Sequence, residues 1–142
     1  MKPVTLASKL PEVIEYLQVN VPKDFPEYID GVNEIYVKHL AATGTMVILS
    51  EDEDGINGVL VFTITDFLAA LPGNLVAIEH VWHSKGKTGL KIKKAFEDYA
   101  KEIGCSHVFM GTTENPSAEK ARTIYERSGY KLHETIFVKE LI

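Results

Sequence analysis

The chain has 142 residues, 45% of them hydrophobic and 25% charged, which is the mix of a soluble globular protein with room for one buried core. Its formal net charge of −5 argues against a general nucleic-acid binder, which needs a basic face to displace counterions from phosphates. No apolar run approaches the roughly 18 residues of a membrane helix, Pro and Glu interrupt the stretch a secretory signal would need, and the single Cys105 excludes an internal disulfide, so a cytoplasmic protein is expected.

Residues 3–6 read as a short first strand. Ser8 is placed to cap a helix carrying Leu10, Val13, Ile14 and Leu17 at helical spacing, and Val21-Pro22 and Phe25-Pro26 are expected to break the chain after it. A second helix follows with Tyr28, Val32, Ile35, Tyr36, His39 and Leu40 on one stripe, stopped at Gly44. The period then changes. Thr45–Ser50 and Asn57–Thr65 read as the strands of a hairpin around the acidic run Glu51–Gly55. That run lacks the ligand spacing of an EF-hand loop and reads as a solvated turn.

Asp66–Asn74 is expected as a loop, Leu75–Trp82 as the next strand and His83–Thr88 as a polar, basic loop. Gly89–Ile103 reads as a third helix, burying Ile92, Ala95, Phe96, Tyr99, Ala100 and Ile103. Ser106–Gly111 reads as a strand, with Cys105 before it as an inert thiol. Asn115-Pro116 opens a fourth helix that Gly129 stops, and two strands are expected near Tyr130–His133 and Glu134–Leu141. Without repeats or linkers, residues 1–142 read as a single domain. The order β-α-α-β-β-β-α-β-α-β-β is that of an α/β protein with a mixed (α+β) sheet, and the one helical crossover makes the strands near 75–82 and 106–111 parallel.

The strongest local signal is strand, basic glycine-containing loop, helix: AIEHVWHSKGKTGLKIKKAFEDYA. Backbone N–H groups at a helix start and the positive end of its dipole favour an anion, Gly86 and Gly89 permit close approach, and Lys85, Lys87 and Lys91 add charge. The alternative is a solvated basic loop. Gly86-Lys87-Thr88 is not a P-loop, because that pattern needs glycine where Val81 stands, and no GxGxxG fingerprint is present. His80 and His83 have H-x-x-H spacing, but on a regular strand they would point to opposite faces, so no metal is expected. By the same period Glu79 shares a face with Leu75, Ala77 and Val81, and His80 with Val76, Ile78 and Trp82.

From Val81 onward the chain resembles the GNAT superfamily of acetyltransferases. Asn115-Pro-Ser-Ala-Glu-Lys-Ala-Arg-Thr-Ile-Tyr125-Glu-Arg-Ser-Gly129-Tyr130 is similar to the family's Asn-led helix with a tyrosine before a Gly-aromatic pair. The family's loop pattern, [Arg/Gln]-x-x-Gly-x-[Gly/Ala], meets Ser84, Lys87 and Gly89 here, and the loop is short when measured from Val81. The His83–Gly89 loop and the chain length also resemble small phage-encoded or bacterial GNAT-like proteins.

The resemblance implies an acyl-CoA N-acyltransferase fold whose strands near 75–82 and 106–111 diverge at their C-terminal ends. Pantetheine would lie in that gap on the backbone of Val81, Trp82 and His83. The pyrophosphate would lie on Lys85, Gly86, Lys87, Thr88, Gly89 and Leu90, with Asn115 touching the coenzyme. Tyr125 would protonate the departing thiolate, and Glu79, on the strand beside the cleft, would take the proton of the attacking amine. His83 is a further candidate proton carrier. The implied co-substrate is acetyl-CoA, without a metal, and the implied acceptor is an amine on a small molecule or a protein, between the N-terminal helices and the loop around Phe67–Asn74. Neither nucleic acid nor membrane is an expected partner. The location would be the cytoplasm, a host's if phage-encoded. The terminal strand Glu134–Leu141 would pair either within the monomer or across a homodimer. Two rival readings remain open: a non-catalytic GNAT-fold interaction or assembly module, suggested by the short loop, and an acyl-CoA sensor.

Overall fold

The computed structural model describes residues 1–24, 33–67, 71–112, 118–137 and 139–141. They fall into two compact units, Met1–Gly111 and Thr112–Ile142.

The first unit is built on a five-stranded sheet in chain order. Its strands are β1 (Val4–Thr5), β2 (Met46–Asp52), β3 (Gly55–Phe67), β4 (Leu71–Ser84) and β5 (His107–Phe109). The first four pair antiparallel, and β5 pairs parallel to β4 after the crossover helix α3 (Thr88–Glu102). Helices α1 (Leu10–Asp24) and α2 (Glu34–Ala42) lie between β1 and β2 in sequence.

Alternation along the strands divides the apolar residues between two cores. Val47, Val59 and Val61 pack with Leu6, Val13, Leu17, Val37 and Leu40 from the α1/α2 side. Ile48, Leu60, Phe62 and Ala77 pack with Ile92, Phe96 and Ala100 of α3. Phe62 and Phe96 meet with ring centroids 5.0 Å apart. Burial of such side chains contributes about 1.5–3 kcal/mol each and holds the helices to the sheet.

Several expectations are corrected. Ser8 does not cap α1; Leu6–Lys9 form a 3-10 turn in which Ser8 Oγ donates to the Thr5 carbonyl at 2.7 Å. α1 runs through Pro22 to Asp24. The missing proline donor would have served the Gln18 carbonyl, and Gln18 is exposed to water, so the break costs little in the last turn. α2 is capped by Asn33, whose side chain accepts from the Tyr36 N–H at 3.1 Å. Its buried residues are Val37, Leu40 and Ala41, while Ile35 is 81% exposed. The expected stripe is therefore rotated, with the smaller aliphatic residues facing the core; Tyr28 and Val32 lie outside the described residues.

Part of the loop expected at Asp66–Asn74 is strand instead: β3 ends at Phe67 and β4 begins at Leu71, with Asp66 paired to Leu75 and Phe67 to Leu71. Local pattern did not mark these positions as strand, and cross-strand pairing decided them. In α3, Ile92, Phe96 and Ala100 are buried as expected, but Ile103 is 36% exposed, and Lys93 is buried with its ammonium 2.7 Å from Glu97.

The second unit contains α4 (Ala118–Arg127), with Ala118 and Tyr125 buried. Gly129 adopts φ 88°, as a helix stop requires, and the Tyr130 N–H donates to the Tyr125 carbonyl at 3.0 Å. Asn115-Pro116 lies outside the described residues. The two terminal strands expected after Gly129 do not form among the described residues, so the observed order is shorter than the expected one. Leu132, Ile136, Phe137 and Leu141 are each more than four-fifths exposed. Alternating polarity marks a segment able to be a strand, but a strand exists only where an edge satisfies its backbone groups.

Among the described residues, no helix is long and apolar enough to cross a membrane. No group of three or more His, Cys, Asp or Glu could hold a metal ion among them.

Candidate functional site

The parallel pairing of β4 and β5 stops early. Val76, Ala77 and Ile78 pair with His107, Val108 and Phe109, and β4 then continues from Glu79 to Ser84 beyond the end of β5. This is a forked sheet with Glu79 as the first residue past the last pair. The backbone N–H of Gly111 donates to the Glu79 carboxylate, so the side chain bridges the two arms at the base of the fork. Burial pushes the Glu79 carboxyl up to about 8, against the smaller opposite effect of that hydrogen bond.

A β-bulge sits at the same point. Val61 pairs with Val81 but Phe62 pairs with Glu79, which leaves His80 as the extra residue. The bulge changes which side chains share a face. Val81 joins the α1/α2 core and Trp82 joins the α3 core. The period-two grouping of Glu79 with Val81, and of His80 with Trp82, therefore does not hold. His80 and His83 also come to the same face: His80 Nε2 lies 2.6 Å from Thr63 Oγ1, and His83 Nδ1 lies 2.8 Å from the Tyr16 hydroxyl of α1. Burial lowers the His80 pKa.

Beyond the bulge, β4 leads into a loop of Lys85, Gly86 and Lys87 and then α3. The loop is tied down from two directions. The Lys85 N–H donates to the Asn57 carbonyl at 2.8 Å, and the Asn57 side-chain amide donates to Asp52 at 2.9 Å. Asp52 is held below the usual carboxylate range by the Asn57 hydrogen bond first and by the Asp54 N–H next. The Lys85 ammonium lies 5.7 Å from the centre of the Tyr16 ring, within cation–π range. The acidic turn thus carries a structural duty at the neighbouring loop.

Gly86 adopts φ 60° with open space around it, and no side chain caps the first turn of α3. Lys85, Lys87, Leu90 and Lys91 are exposed. An uncapped helix start flanked by two exposed lysines and a left-handed glycine suits a phosphate group. Gly89 differs. It is buried, and a Cβ there would meet Ser84 Oγ at 2.5 Å and the Trp82 ring at 3.4 Å. Its smallness serves the packing of α3 onto β4. Gly58 has the same duty, since a Cβ there would collide with Ile92.

No family model matches the chain, and no curated protein matches it in sequence. Solved structures do match. An aminoglycoside acetyltransferase from an uncultured soil metagenomic sample is similar with TM-score 0.70 and 11% identity, over 99% of this chain and 96% of that one. The chain has the fold of the GNAT acetyltransferases. A ribosomal-protein-alanine N-acetyltransferase from Brucella melitensis biovar Abortus 2308 matches with TM-score 0.60 and 15% identity, over 76% of this chain and 80% of that one. Glucosamine-6-phosphate N-acetyltransferase from Arabidopsis thaliana matches with TM-score 0.57 and 15% identity, over 78% of this chain and 80% of that one. These structures lend no support to the phage origin that the loop suggests.

Within this GNAT fold, the structure brings Glu79, Val81, Trp82, His83, Lys85, Gly86, Lys87, Thr88, Gly89 and Leu90 onto one continuous stretch of strand, loop and helix start. Val81, Trp82 and His83 lie on the arm of β4 that β5 does not pair. Tyr125 lies in the second unit, buried, with its ring 5.5 Å from that of Tyr130. Asn115 lies outside the described residues. Cys105 is partly buried and burial raises its thiol pKa, the state of an inert thiol.

Sequence reasoning missed Tyr16, Thr63 and Thr45. Tyr16 falls at a helical interval from Val13, so its side is legible, but its bond to His83 spans 67 residues of sequence. Thr63 and Thr45 are β-branched strand residues with no local mark of a role.

Proposed function

We propose that this chain is an N-acetyltransferase that moves the acetyl group of acetyl-CoA to a primary amine by direct attack. The observation that carries the reading is the fork: β4 leaves β5 at Ile78, a titratable carboxyl lies at its base, and an uncapped helix start with exposed lysines follows its unpaired arm. In this reading the β4 backbone from Val81 to His83 borders the pantetheine, and Lys85 to Leu90 receive the pyrophosphate, with Asn115 as a further coenzyme contact. The amine nitrogen attacks the thioester carbon, the C–S bond breaks, and the thiolate takes a proton from Tyr125. Glu79 accepts the amine's proton when ionised. Its raised pKa delays that ionisation, so activity through Glu79 rises towards pH 8. An amine acceptor accords with two similar proteins, one named for acetylating a ribosomal-protein alanine and one for acetylating glucosamine-6-phosphate.

The first test is ligand-dependent stability. At 100 times Kd, acetyl-CoA adds about 2.7 kcal/mol to the folded state, which raises the melting midpoint of a domain this size by several degrees. Desulfo-CoA stabilises almost as well. With an acceptor in hand, Tyr125→Phe lowers kcat by roughly 10²-fold, with little change in coenzyme affinity. A folded protein whose midpoint does not move at millimolar acetyl-CoA overturns the enzyme reading. The non-catalytic module then takes its place, a reading favoured by the brevity of the loop, Lys85 to Lys87.

A further inference from the structure

The bulged His80 is the end of a hydrogen-bonded chain whose direction can be worked out. Thr43 Oγ1 donates to the Leu40 carbonyl at 2.9 Å, which uses the only proton of that hydroxyl. Thr45 Oγ1 lies 3.4 Å from Thr43 Oγ1, so Thr45 is the donor of that pair. Thr63 Oγ1 lies 3.2 Å from Thr45 Oγ1, and Thr45 has spent its proton, so Thr63 donates. His80 Nε2 lies 2.6 Å from Thr63 Oγ1, and where each link carries one proton the same count makes the ring the donor. On that count a backbone carbonyl at the end of α2 sets the tautomer of a histidine three elements away.

The chain crosses the α1/α2 face of the sheet from exposed Thr43, through fully buried Thr45, to the bulge. A buried hydroxyl in an apolar core costs free energy unless it is bonded, so these threonines are not interchangeable with valine. The Nδ1 atom has no hydrogen-bond partner among the described residues. The other titratable groups identified on this face beside β4 are His83 and Tyr16, bonded to each other, and Lys85, whose ammonium lies over the Tyr16 ring. Glu79, in contrast, shares the face of its pair partner Phe62, towards α3. Burial keeps His80 in its neutral form at neutral pH, consistent with a group ready to accept a proton.

We infer that His80, held as the Nε2–H tautomer by Thr63, Thr45, Thr43 and the Leu40 carbonyl, presents Nδ1 as a base for the amine acceptor on the α1/α2 side of β4. In that step, which readies the acceptor before the attack and before Glu79 takes the proton released by it, an N–H bond of the ammonium breaks, an Nδ1–H bond forms, and the ring becomes imidazolium until solvent removes the proton. The role rests on the acetyltransferase reading, whereas the tautomer does not.

The test has two arms. In the first, two-bond proton–nitrogen NMR spectra of the apoprotein at pH 7 identify His80 by comparison with His80→Gln. The expected result is a protonated Nε2 and a bare Nδ1. Thr45→Val leaves the Thr63 proton without its acceptor, turns it towards His80 and brings up the Nδ1–H form; Thr45→Ser restores the original tautomer. An Nδ1–H ring or an imidazolium in the native protein overturns the proposal. In the second arm, His80→Gln, which still donates to Thr63, lowers kcat by roughly 10²-fold and leaves the melting shift with acetyl-CoA in place. Thr45→Val lowers kcat and Thr45→Ser recovers it. An unchanged kcat in His80→Gln overturns the base role. If acetyl-CoA fails to shift the native protein, the acetyltransferase reading falls and takes the base role with it, while the tautomer result stands as measured.

Discussion

Glu79 and His80 are neighbours in sequence on the two faces of one bulged strand, and burial acts on them in opposite directions of pKa. It pushes the Glu79 carboxyl up to about 8 and lowers the imidazole of His80, because in both cases it disfavours the charged form. The surroundings differ. Glu79 lies at the base of the fork and takes the Gly111 N–H, whereas His80 leads into a line of hydroxyls across the opposite core. Desolvation therefore produces a carboxyl that retains its proton and an imidazole that has already given one up.

The largest effect that sharpens this contrast is on the α3 face. Folded Glu79 keeps its proton up to about 8, whereas the unfolded chain releases it near 4.5, the ordinary value of a glutamate carboxyl. Between those values the folded state binds more protons, so stability falls as pH rises through the window, by something on the order of a few kcal/mol. Glu79→Gln removes that slope. Urea midpoints of the variant stay level where the native protein declines, and the variant is the more stable of the two above pH 8. Equal slopes in both proteins would mean that Glu79 is not buried as a neutral group.

A smaller effect separates the two glycines near the loop. Gly89→Val forces a side chain against Ser84 and Trp82 and destabilises the apoprotein by about 1–3 kcal/mol. Gly89 thus carries a packing role in the apoprotein, whatever it contributes to coenzyme binding. Gly86→Ala meets no atom, but strains a φ of 60°, with a cost of roughly 1 kcal/mol. Denaturant midpoints without ligand should rank the two in that order. The smallest effect is that of Lys87→Ala, which weakens acetyl-CoA binding only a few-fold if backbone N–H groups carry the contact, by a margin that shrinks in high salt.

Much of the fold was legible because it is local. The helical intervals of Ile92, Phe96 and Ala100, the alternation of Val47, Val59 and Val61, and the glycines at 44, 104 and 129 are each set by the residues within a turn or two of themselves. The parallel pairing of β4 with β5 followed from a single helical crossover between them. The strands expected after Gly129 had the right alternation and no pairing to show for it among the described residues, whereas Asp66 and Phe67 became strand through their partners Leu75 and Leu71.

By itself the sequence determined the sheet-and-helix order of Met1–Gly111 apart from element ends, and the basic loop before α3, because propensity, periodicity and turn chemistry act over short stretches. The tertiary structure alone decided the bulge at His80, the crossing of Val81 and Trp82 to opposite cores, the bond of His83 to Tyr16, and the hydroxyl line from Thr63 to Thr43. Each depends on register between segments far apart in the chain, and one extra residue in a strand changes which face every later side chain occupies.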